Sequence, residues 1–187
     1  WPLLRQRAHT SFRVSLHNDC STRPKHTSRR GLGPHYAALL HRGFMIQLFL
    51  IGIGTGNPDH LTGAANRAIA DVDLFLIPQK GVGKSDLADL RMQIIANIRS
   101  DAQTAVFDMP TRDPALPYLE RVDDWHDKIA VLWTQTMAQH PDATRVALLV
   151  WGDPSLYDST LRIAARLTPQ PKVTVVPGIT AVQALTA

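Results

Sequence analysis

The segment MIQLFLIGIGTGNP, residues 45–58, decides the fold, because a short apolar run passes directly into a glycine-rich turn. Residues 46–51 are too few for an ordinary helix, and their apolar side chains are typical of a buried strand. The glycines that follow allow a tight turn in which exposed backbone faces a flat ligand. We therefore predict that a first strand ends at this turn.

The same pattern recurs along the chain, as apolar runs that alternate with helical patterns. The predicted strands cover 46–51, 73–77, 104–107, 145–151 and 172–176, the predicted helices cover 61–70, 86–99, 118–139 and 156–167, and another helix opens at the end. This alternation predicts an α/β fold with a mostly parallel five-stranded sheet flanked by helices. Ligands bind such sheets at the carboxyl ends of the strands, so the site is expected at that edge.

Two of the predicted helices carry side chains at helical spacing that form a stripe. The stripes consist of Leu87, Leu90, Ile94 and Ile98 in 86–99 and of Trp125, Ile129, Leu132, Trp133 and Thr136 in 118–139. We expect both tryptophans to pack in the core.

The composition indicates a globular domain of a reducing compartment, which predicts a cytoplasmic protein. With 187 residues, 44% of them hydrophobic and 19% charged, the chain can bury a core, and this excludes wholesale disorder. A single cysteine, Cys20, excludes a disulfide framework and a cysteine-rich zinc site, so we expect no metal. The apolar runs fall short of the ~20 residues that a membrane-spanning helix needs.

Residues 1–44 differ from the rest in charge. They hold 8 of the 20 Lys and Arg and one acidic residue, whereas the other residues hold 12 bases and 15 acids. No helical or alternating period runs through them, so we expect a disordered basic extension. Met45 directly precedes the first strand, so we expect residues 1–44 to be an upstream stretch translated from a misplaced start. Because Trp1 is no initiator, the chain is also expected to be a fragment. The alternatives for residues 1–44 are a transit peptide and a basic arm that binds nucleic acid or a membrane surface.

Two glycine-rich segments match phosphate-binding motifs only in part. In a dinucleotide fingerprint the third glycine would fall at Asn57, and Pro58 stands where the phosphate-binding helix should open. The second segment, 78–85, ends in Gly-Lys-Ser like a P-loop, but its leading glycine would be Pro78, which lacks an N–H donor. Neither nucleotide site is expected, although Lys80 and Lys84 remain as cations for the carboxylates of a ligand.

Three junctions between a strand and a helix follow one another in the chain. They are Gly52-Ile-Gly-Thr-Gly-Asn-Pro58, Gly152-Asp-Pro154 and Val176-Pro-Gly-Ile-Thr-Ala181. Each is ordinary turn chemistry by itself. Together they resemble the tetrapyrrole (corrin/porphyrin) methyltransferases, which use S-adenosylmethionine, from about Met45 to the C-terminus. The stretches 59–62 and 152–160, and the pairs 80–81, 86–87 and 90–91, are similar to the subgroup that acts on precorrin-5.

The resemblance implies two domains, with the cofactor between them and the macrocycle in a trough beside it. Residues 45–176 would form the N-terminal domain, and 177–187 a linker and the start of a truncated second domain, so we expect the chain by itself to be inactive. The implied reaction moves a methyl group from S-adenosylmethionine to ring carbon 1 of precorrin-5, and water then assists the release of acetate. Members of the family are often homodimers, and neither nucleic acid nor a membrane is implied as a partner.

The resemblance also assigns roles to individual residues. The cofactor-binding residues would be Thr55, Gly152, Asp153, Leu156, Thr180 and Ala181, and the substrate-binding residues Gly56, Lys80 and Arg112. Lys80 and Arg112 would pair with acidic side chains of the macrocycle. Arg91 is a third candidate for such a pair, although we expect it to be a charge on a helix surface. Alignment and exclusion of water supply most of the catalysis, and a base would assist the release of acetate. The candidate bases are Asp59, His60 and Tyr157.

Three other functions remain open from the sequence. The first keeps the family and changes the substrate, which would be another tetrapyrrole or a protein-borne diphthine precursor instead of precorrin-5. A nucleotide-binding module would use Lys84 and Ser85. A nucleic-acid-binding arm would use Arg29 and Arg30 of the basic extension, and its binding would weaken steeply with salt.

Overall fold

The computed structural model of the chain describes residues 45–80 and 86–187. The predictions made for residues 1–44, and those made for Lys84 and Ser85, lie outside the described residues. Within the described part, no helix combines the length and the hydropathy that crossing a membrane requires.

Strands and helices alternate along the described chain. The strands are β1 Gln47–Gly52, β2 Leu74–Gln79, β3 Gln103–Asp108, β4 Arg145–Val150 and β5 Lys172–Val176. The helices are α1 Gly63–Ala70, α2 Asp86–Ile98, α3 Tyr118–Ala138, α4 Thr160–Ala164 and α5 Ala181–Thr186, and a 3₁₀ helix covers Pro58–His60. All five predicted strands are present, so the α/β prediction is confirmed.

The five strands form one sheet in the order β3-β2-β4-β1-β5, and every pairing between them is parallel. Side chains of one strand alternate between two cores. Leu48 and Leu50 face α3 and α4, while Phe49 and Ile51 face α1 and α2. Because both faces of the sheet are covered, the strands need apolar residues at successive positions, and this explains the uninterrupted runs in the sequence.

This topology places a crevice between the ends of β2 and β4. The two strands are neighbours, but the chain leaves β2 toward the face of α2 and leaves β4 toward the face of α4. Connections that diverge in this way open a space at the carboxyl edge of a parallel sheet. The functional site is therefore sought there and at the adjacent end of β1.

The predicted helix 156–167 is largely wrong, because the helix observed there is only Thr160–Ala164. Tyr157 has a positive φ of 53°, which breaks any helix through it. Asp158 then accepts a hydrogen bond from the amide of Thr160 at 2.6 Å, so the helix begins only after this turn.

The two predicted stripes are observed in different degrees. On α2 the buried side chains are Ala88, Ile94 and Ile95, while Leu87 is 47% exposed. On α3, Trp133 is buried and Trp125 packs against the same core from a partly buried position. The packing of both tryptophans is thus confirmed, and Leu87 is left at the surface of the crevice.

Candidate active site

Three glycines bring the ends of β4, β1 and β5 into contact. A Cβ built on Gly52 would lie 2.6 Å from the amide nitrogen of Gly178 and 2.7 Å from the carbonyl oxygen of Gly152. A Cβ on Gly178 would lie 2.8 Å from the carbonyl carbon of Gly52 and would overlap the oxygen of Gly152. Real Cβ atoms do not approach backbone this closely, so these strand ends pack only because side chains are absent.

The loops after β1 and β4 are also joined by hydrogen bonds between their backbones. The amide of Gly152 donates to the oxygen of Gly54 at 2.8 Å, and the reverse bond measures 3.3 Å. Both residues have a positive φ, 70° for Gly54 and 66° for Gly152. Apart from its chain neighbours, a Cβ on Gly152 would meet no atom of the described residues within 4 Å, so the backbone there borders open space. A flat ligand can lie directly against it.

Asp153 joins the loop after β4 to the loop after β5. One carboxylate oxygen accepts a hydrogen bond from the amide of Gly178 at 2.9 Å, and the other accepts from the amide of Ser155 at 2.8 Å and from its hydroxyl. Burial alone would raise the pKa of Asp153, but these hydrogen bonds to Ser155 and Gly178 hold it below its usual value. The carboxylate is therefore ionised and occupied in bracing the two loops.

The loop after β1 orients two of the predicted residues toward each other. The hydroxyl oxygen of Thr55 lies 2.7 Å from Nδ1 of His60, which is partly buried. Asp59 is exposed, and its amide donates to the side chain of Asn57 at 3.0 Å. Of the three candidate bases, His60 is the one that a neighbouring side chain holds in place.

The other predicted residues lie at the same edge of the sheet. Thr180 caps α5, accepting a hydrogen bond from the amide of Gln183, and Ala181 is the first residue of that helix. Leu156 is exposed, and Tyr157 is fully exposed at a backbone conformation that bulky residues rarely adopt. These positions face solvent next to the braced loops, which leaves them accessible to a ligand.

A cavity of about 240 Å³ opens in the crevice between β2 and β4. Its walls are mostly apolar and include three tryptophans, Trp125, Trp133 and Trp151. The indole of Trp151 lies over Gly56, since a Cβ on that glycine would be 2.7 Å from its Cη2 atom. The predicted substrate residue Gly56 therefore supports one wall of the cavity.

Charged side chains lie at the same cavity. Lys80 and Arg91 line it from β2 and α2, and Asp158 lines it from the loop before α4. The expectation that Arg91 is a helix-surface charge is wrong, because its Nε donates to the carbonyl of Leu149 at 3.0 Å. Arg112 stacks on Trp125, with its guanidinium carbon 4.2 Å from the centre of the ring.

The structure thus brings the predicted residues to one edge of the sheet in two groups. Gly152, Asp153, Thr180 and Ala181 surround the glycine contact. Lys80 lines the cavity, while Gly56 and Arg112 contact the tryptophans of its wall, Trp151 and Trp125. Sequence reasoning missed Asp158 and Trp151 as cavity residues and misjudged Arg91. The signal for Asp158 and Trp151 was their position beside the predicted junction 152–154, whereas Arg91 lies within a predicted helix, and nothing local shows which strand that helix contacts.

His126 on α3 is a buried titratable group beside this region. The side chain is 2% exposed, and neither ring nitrogen has a hydrogen-bond partner among the described residues. Burial lowers the pKa of His126 from its usual 6.5, the positive charges of Arg166, Arg162 and Arg112 add to this, and Asp123 opposes it. His126 is therefore neutral in the folded state near pH 7.

His126→Leu is expected to flatten the pH dependence of stability. Since the pKa is lowered on folding, the wild-type free energy of unfolding should fall as the pH drops below about 6.5, with a slope of at most about 1.4 kcal/mol per pH unit. The variant lacks this proton uptake and should be at least as stable at neutral pH, because no polar group is left unpaired. Urea unfolding between about pH 7.5 and 5 measures both. If the free energies of unfolding of wild type and variant changed in parallel with pH, the lowered pKa of His126 would be contradicted.

Comparison with known proteins supports a single family. A sequence profile of the tetrapyrrole (corrin/porphyrin) methylases matches residues 47–187. Precorrin-6A synthase [deacetylating] of a Sinorhizobium species is 41% identical over 151 residues, which are 76% of this chain and 58% of that protein. Cobalamin biosynthesis protein CobIJ of Mycobacterium bovis is 29% identical over 143 residues, covering 75% of this chain and 27% of that protein.

One solved structure matches in both fold and sequence. A cobalamin synthesis related protein (CobF) from Corynebacterium diphtheriae aligns with a TM-score of 0.60 and 38% identity, over 76% of this chain and 57% of that one. The chain therefore spans somewhat more than half of the length of these two similar proteins.

Proposed function

The chain belongs to the tetrapyrrole (corrin/porphyrin) methylases, and on this premise we propose that it serves S-adenosylmethionine-dependent methylation of a tetrapyrrole in cobalamin biosynthesis. The finer proposal is C-methylation of precorrin-5 at ring carbon 1 with loss of acetate, which gives precorrin-6A. The 41% identity to a protein named precorrin-6A synthase [deacetylating] supports this choice of substrate. The cofactor would be S-adenosylmethionine.

The observation that carries the proposal is the open backbone at Gly152. Three strand ends pack without side chains, and a Cβ added to Gly152 would have no other described atom within 4 Å of it. The exposed Leu156 and Ala181 and the partly buried Thr180 border the same loops. A flat purine ring and a flexible amino-acid tail fit such a surface of backbone groups and small side chains, so the residues present suit the cofactor.

The contribution of the chain is mainly positional. When bound, the cofactor supplies a methyl group on a sulfonium, which is already activated toward a carbon nucleophile. Asp153 fixes the loops of Gly152 and Gly178 relative to each other through its hydrogen bonds. Loops fixed in this way would hold a bound methyl donor in one position, and alignment of two reactants supplies much of the rate.

Release of the acetyl unit needs a base, and we assign that role to His60. The contact of its Nδ1 with the hydroxyl of Thr55 orients the ring, and in the tautomer in which Nδ1–H donates to the Thr55 oxygen, Nε2 is the nitrogen that accepts a proton. A water attacks the acetyl carbonyl as His60 takes its proton, and the bond from that carbon to the macrocycle breaks. The electron pair stays on the macrocycle, and the two-carbon unit leaves as acetic acid, which keeps the second proton of the water and then ionises to acetate.

S-Adenosylhomocysteine is expected to stabilise the chain against heat. A ligand at about 100 times its dissociation constant adds about 2.7 kcal/mol, which raises the unfolding temperature by roughly 5–10 °C for a protein of this size. Gly152→Asn is the matched variant, because asparagine tolerates a left-handed φ while its side chain would fill the open space. The variant should fold and lose the shift. Differential scanning calorimetry with and without the ligand measures this.

Two outcomes would overturn the proposal. No shift with S-adenosylhomocysteine, together with a shift produced by ATP, would favour a nucleotide-binding module. An undiminished shift in folded Gly152→Asn would show that the ligand does not lie against this backbone.

A further inference from the structure

The cavity in the crevice is distinct from the loops assigned to the cofactor. It lies between β2 and β4, whereas the glycine contact joins β4, β1 and β5. Its volume of about 240 Å³ is below the roughly 300–1,000 Å³ of pockets that enclose drug-sized ligands. A whole tetrapyrrole is larger than such ligands. The cavity has room for one arm at the edge of a macrocycle and for part of the adjoining ring.

Arg91 is anchored in this cavity by backbone rather than by an acidic side chain. Its Nε donates to the carbonyl of Leu149 on β4 at 3.0 Å, and one terminal nitrogen donates to the carbonyl of Leu87 at 3.2 Å. These bonds fix the plane of the guanidinium, whose fork of donors suits a carboxylate. Among the groups that the structure describes, no acceptor is recorded for the second terminal nitrogen.

The charge of Arg91 is only weakly compensated. Burial lowers the pKa of Arg91, and the attraction of Asp158 opposes this. Asp158 lines the same cavity, but its Oδ1 is bonded to the amide and hydroxyl of Thr160, and no ion pair with Arg91 is formed in the described part of the chain. Arginine remains charged in proteins. A partly buried cation without an ion pair favours the entry of an anion.

The walls add a second requirement to the ligand. Trp125, Trp133 and Trp151 present large apolar surfaces, and Trp133 carries a buried ring N–H without an acceptor among the described residues. Lys80 supplies another cation at an exposed position. The cavity therefore suits a group that is apolar along its stem and anionic at its end.

We propose that this cavity binds one carboxylate-bearing arm of the tetrapyrrole and that Arg91 pairs with its carboxylate. The inference rests on the proposed function for the identity of the ligand class. In this proposal Arg91 sets the position of the macrocycle. The position of the macrocycle in turn determines which ring carbon faces the cofactor. Lys80 contributes at the rim, where solvent screens its charge.

Quenching of tryptophan fluorescence by uroporphyrin, a ring with eight carboxylate arms, tests this on the full chain without any need for turnover. Arg91→Met should raise the Kd about 10- to 100-fold, the loss expected for a hydrogen-bonded charged pair. Lys80→Met should raise it no more than about threefold, since exposed pairs contribute little. Arg91→Lys keeps the charge without the fork and should recover part of the affinity.

Arg99→Met is the matched control. Arg99 follows the same helix, also donates to a backbone carbonyl, that of Val72, and lies outside the cavity. The Arg99→Met variant should bind uroporphyrin with the Kd of the wild type. Thermal unfolding of each variant tests whether the fold is retained. Equal Kd values for Arg91→Met and Arg99→Met, or equally tight binding of uroporphyrin octamethyl ester, would overturn this inference alone. A wild type that binds S-adenosylhomocysteine but no porphyrin would also overturn it, whereas failure with both ligands would overturn the proposed function with it.

Discussion

Gly178→Ala is expected to destabilise the chain by about 3 kcal/mol or more, because the new methyl group has nowhere to go. It would overlap the carbonyl oxygen of Gly152 and lie 2.8 Å from the backbone of Gly52. Both neighbours are backbone atoms, Gly52 at the end of β1 and Gly152 in the loop bonded to Gly54, so they cannot turn aside as a flexible side chain does. Urea unfolding measures the loss, and S-adenosylhomocysteine should no longer bind, since the loops of all three junctions are displaced.

Gly63→Ala is the control for the loss of glycine itself. Gly63 is the first residue of α1, and a Cβ there would meet only the end of Arg67 at 3.4 Å. Alanine favours the helix, so the stability should stay the same or rise by up to about 1 kcal/mol. Equal stability of Gly178→Ala and Gly63→Ala would show that the three strand ends do not pack as closely as described.

The second large effect is expected from Asp153→Ala, which should cost about 3 kcal/mol. The change leaves the amides of Ser155 and Gly178 without their acceptor and releases the brace between the loops after β4 and β5. Asp153→Asn keeps one acceptor oxygen and should lose roughly half as much. Affinity for S-adenosylhomocysteine should fall in the same order, since both loops border the proposed cofactor site.

The dependence of this loss on pH identifies its cause. Because the pKa of Asp153 is lowered on folding, its stabilising contribution is present above the usual aspartate range and is lost as the pH falls through the folded value. The difference between wild type and Asp153→Ala should therefore shrink below about pH 4. Asp113→Ala is the matched control. The carboxylate of Asp113 also accepts a hydrogen bond from the amide two residues later, that of Ala115, but among the described residues it accepts none from a second loop. This variant should change stability by no more than about 0.5 kcal/mol. A constant difference across the acid range would contradict the carboxylate brace.

Much of the architecture was predictable because strands buried on both faces need consecutive apolar residues. The run at 46–51 and its four counterparts all became strands of one parallel sheet. The prediction failed at 156–167, where an apolar pattern was read as a helix although Tyr157 adopts a left-handed conformation. Local pattern does not report such a turn, since it depends on the hydrogen bonds of Asp158 and on the neighbouring loop.

The α/β class, the glycine junctions and the resemblance to the family could be predicted, because they depend on residues that are close together in the chain. The roles of Asp153 and Arg91 depend instead on contacts between distant segments. Arg91 contacts Leu149 because β4 lies beside β2, and Asp153 contacts Gly178 because β4 and β5 lie on either side of β1. That strand order follows from the packing of whole helices on the two faces of the sheet, and no short stretch of sequence contains it.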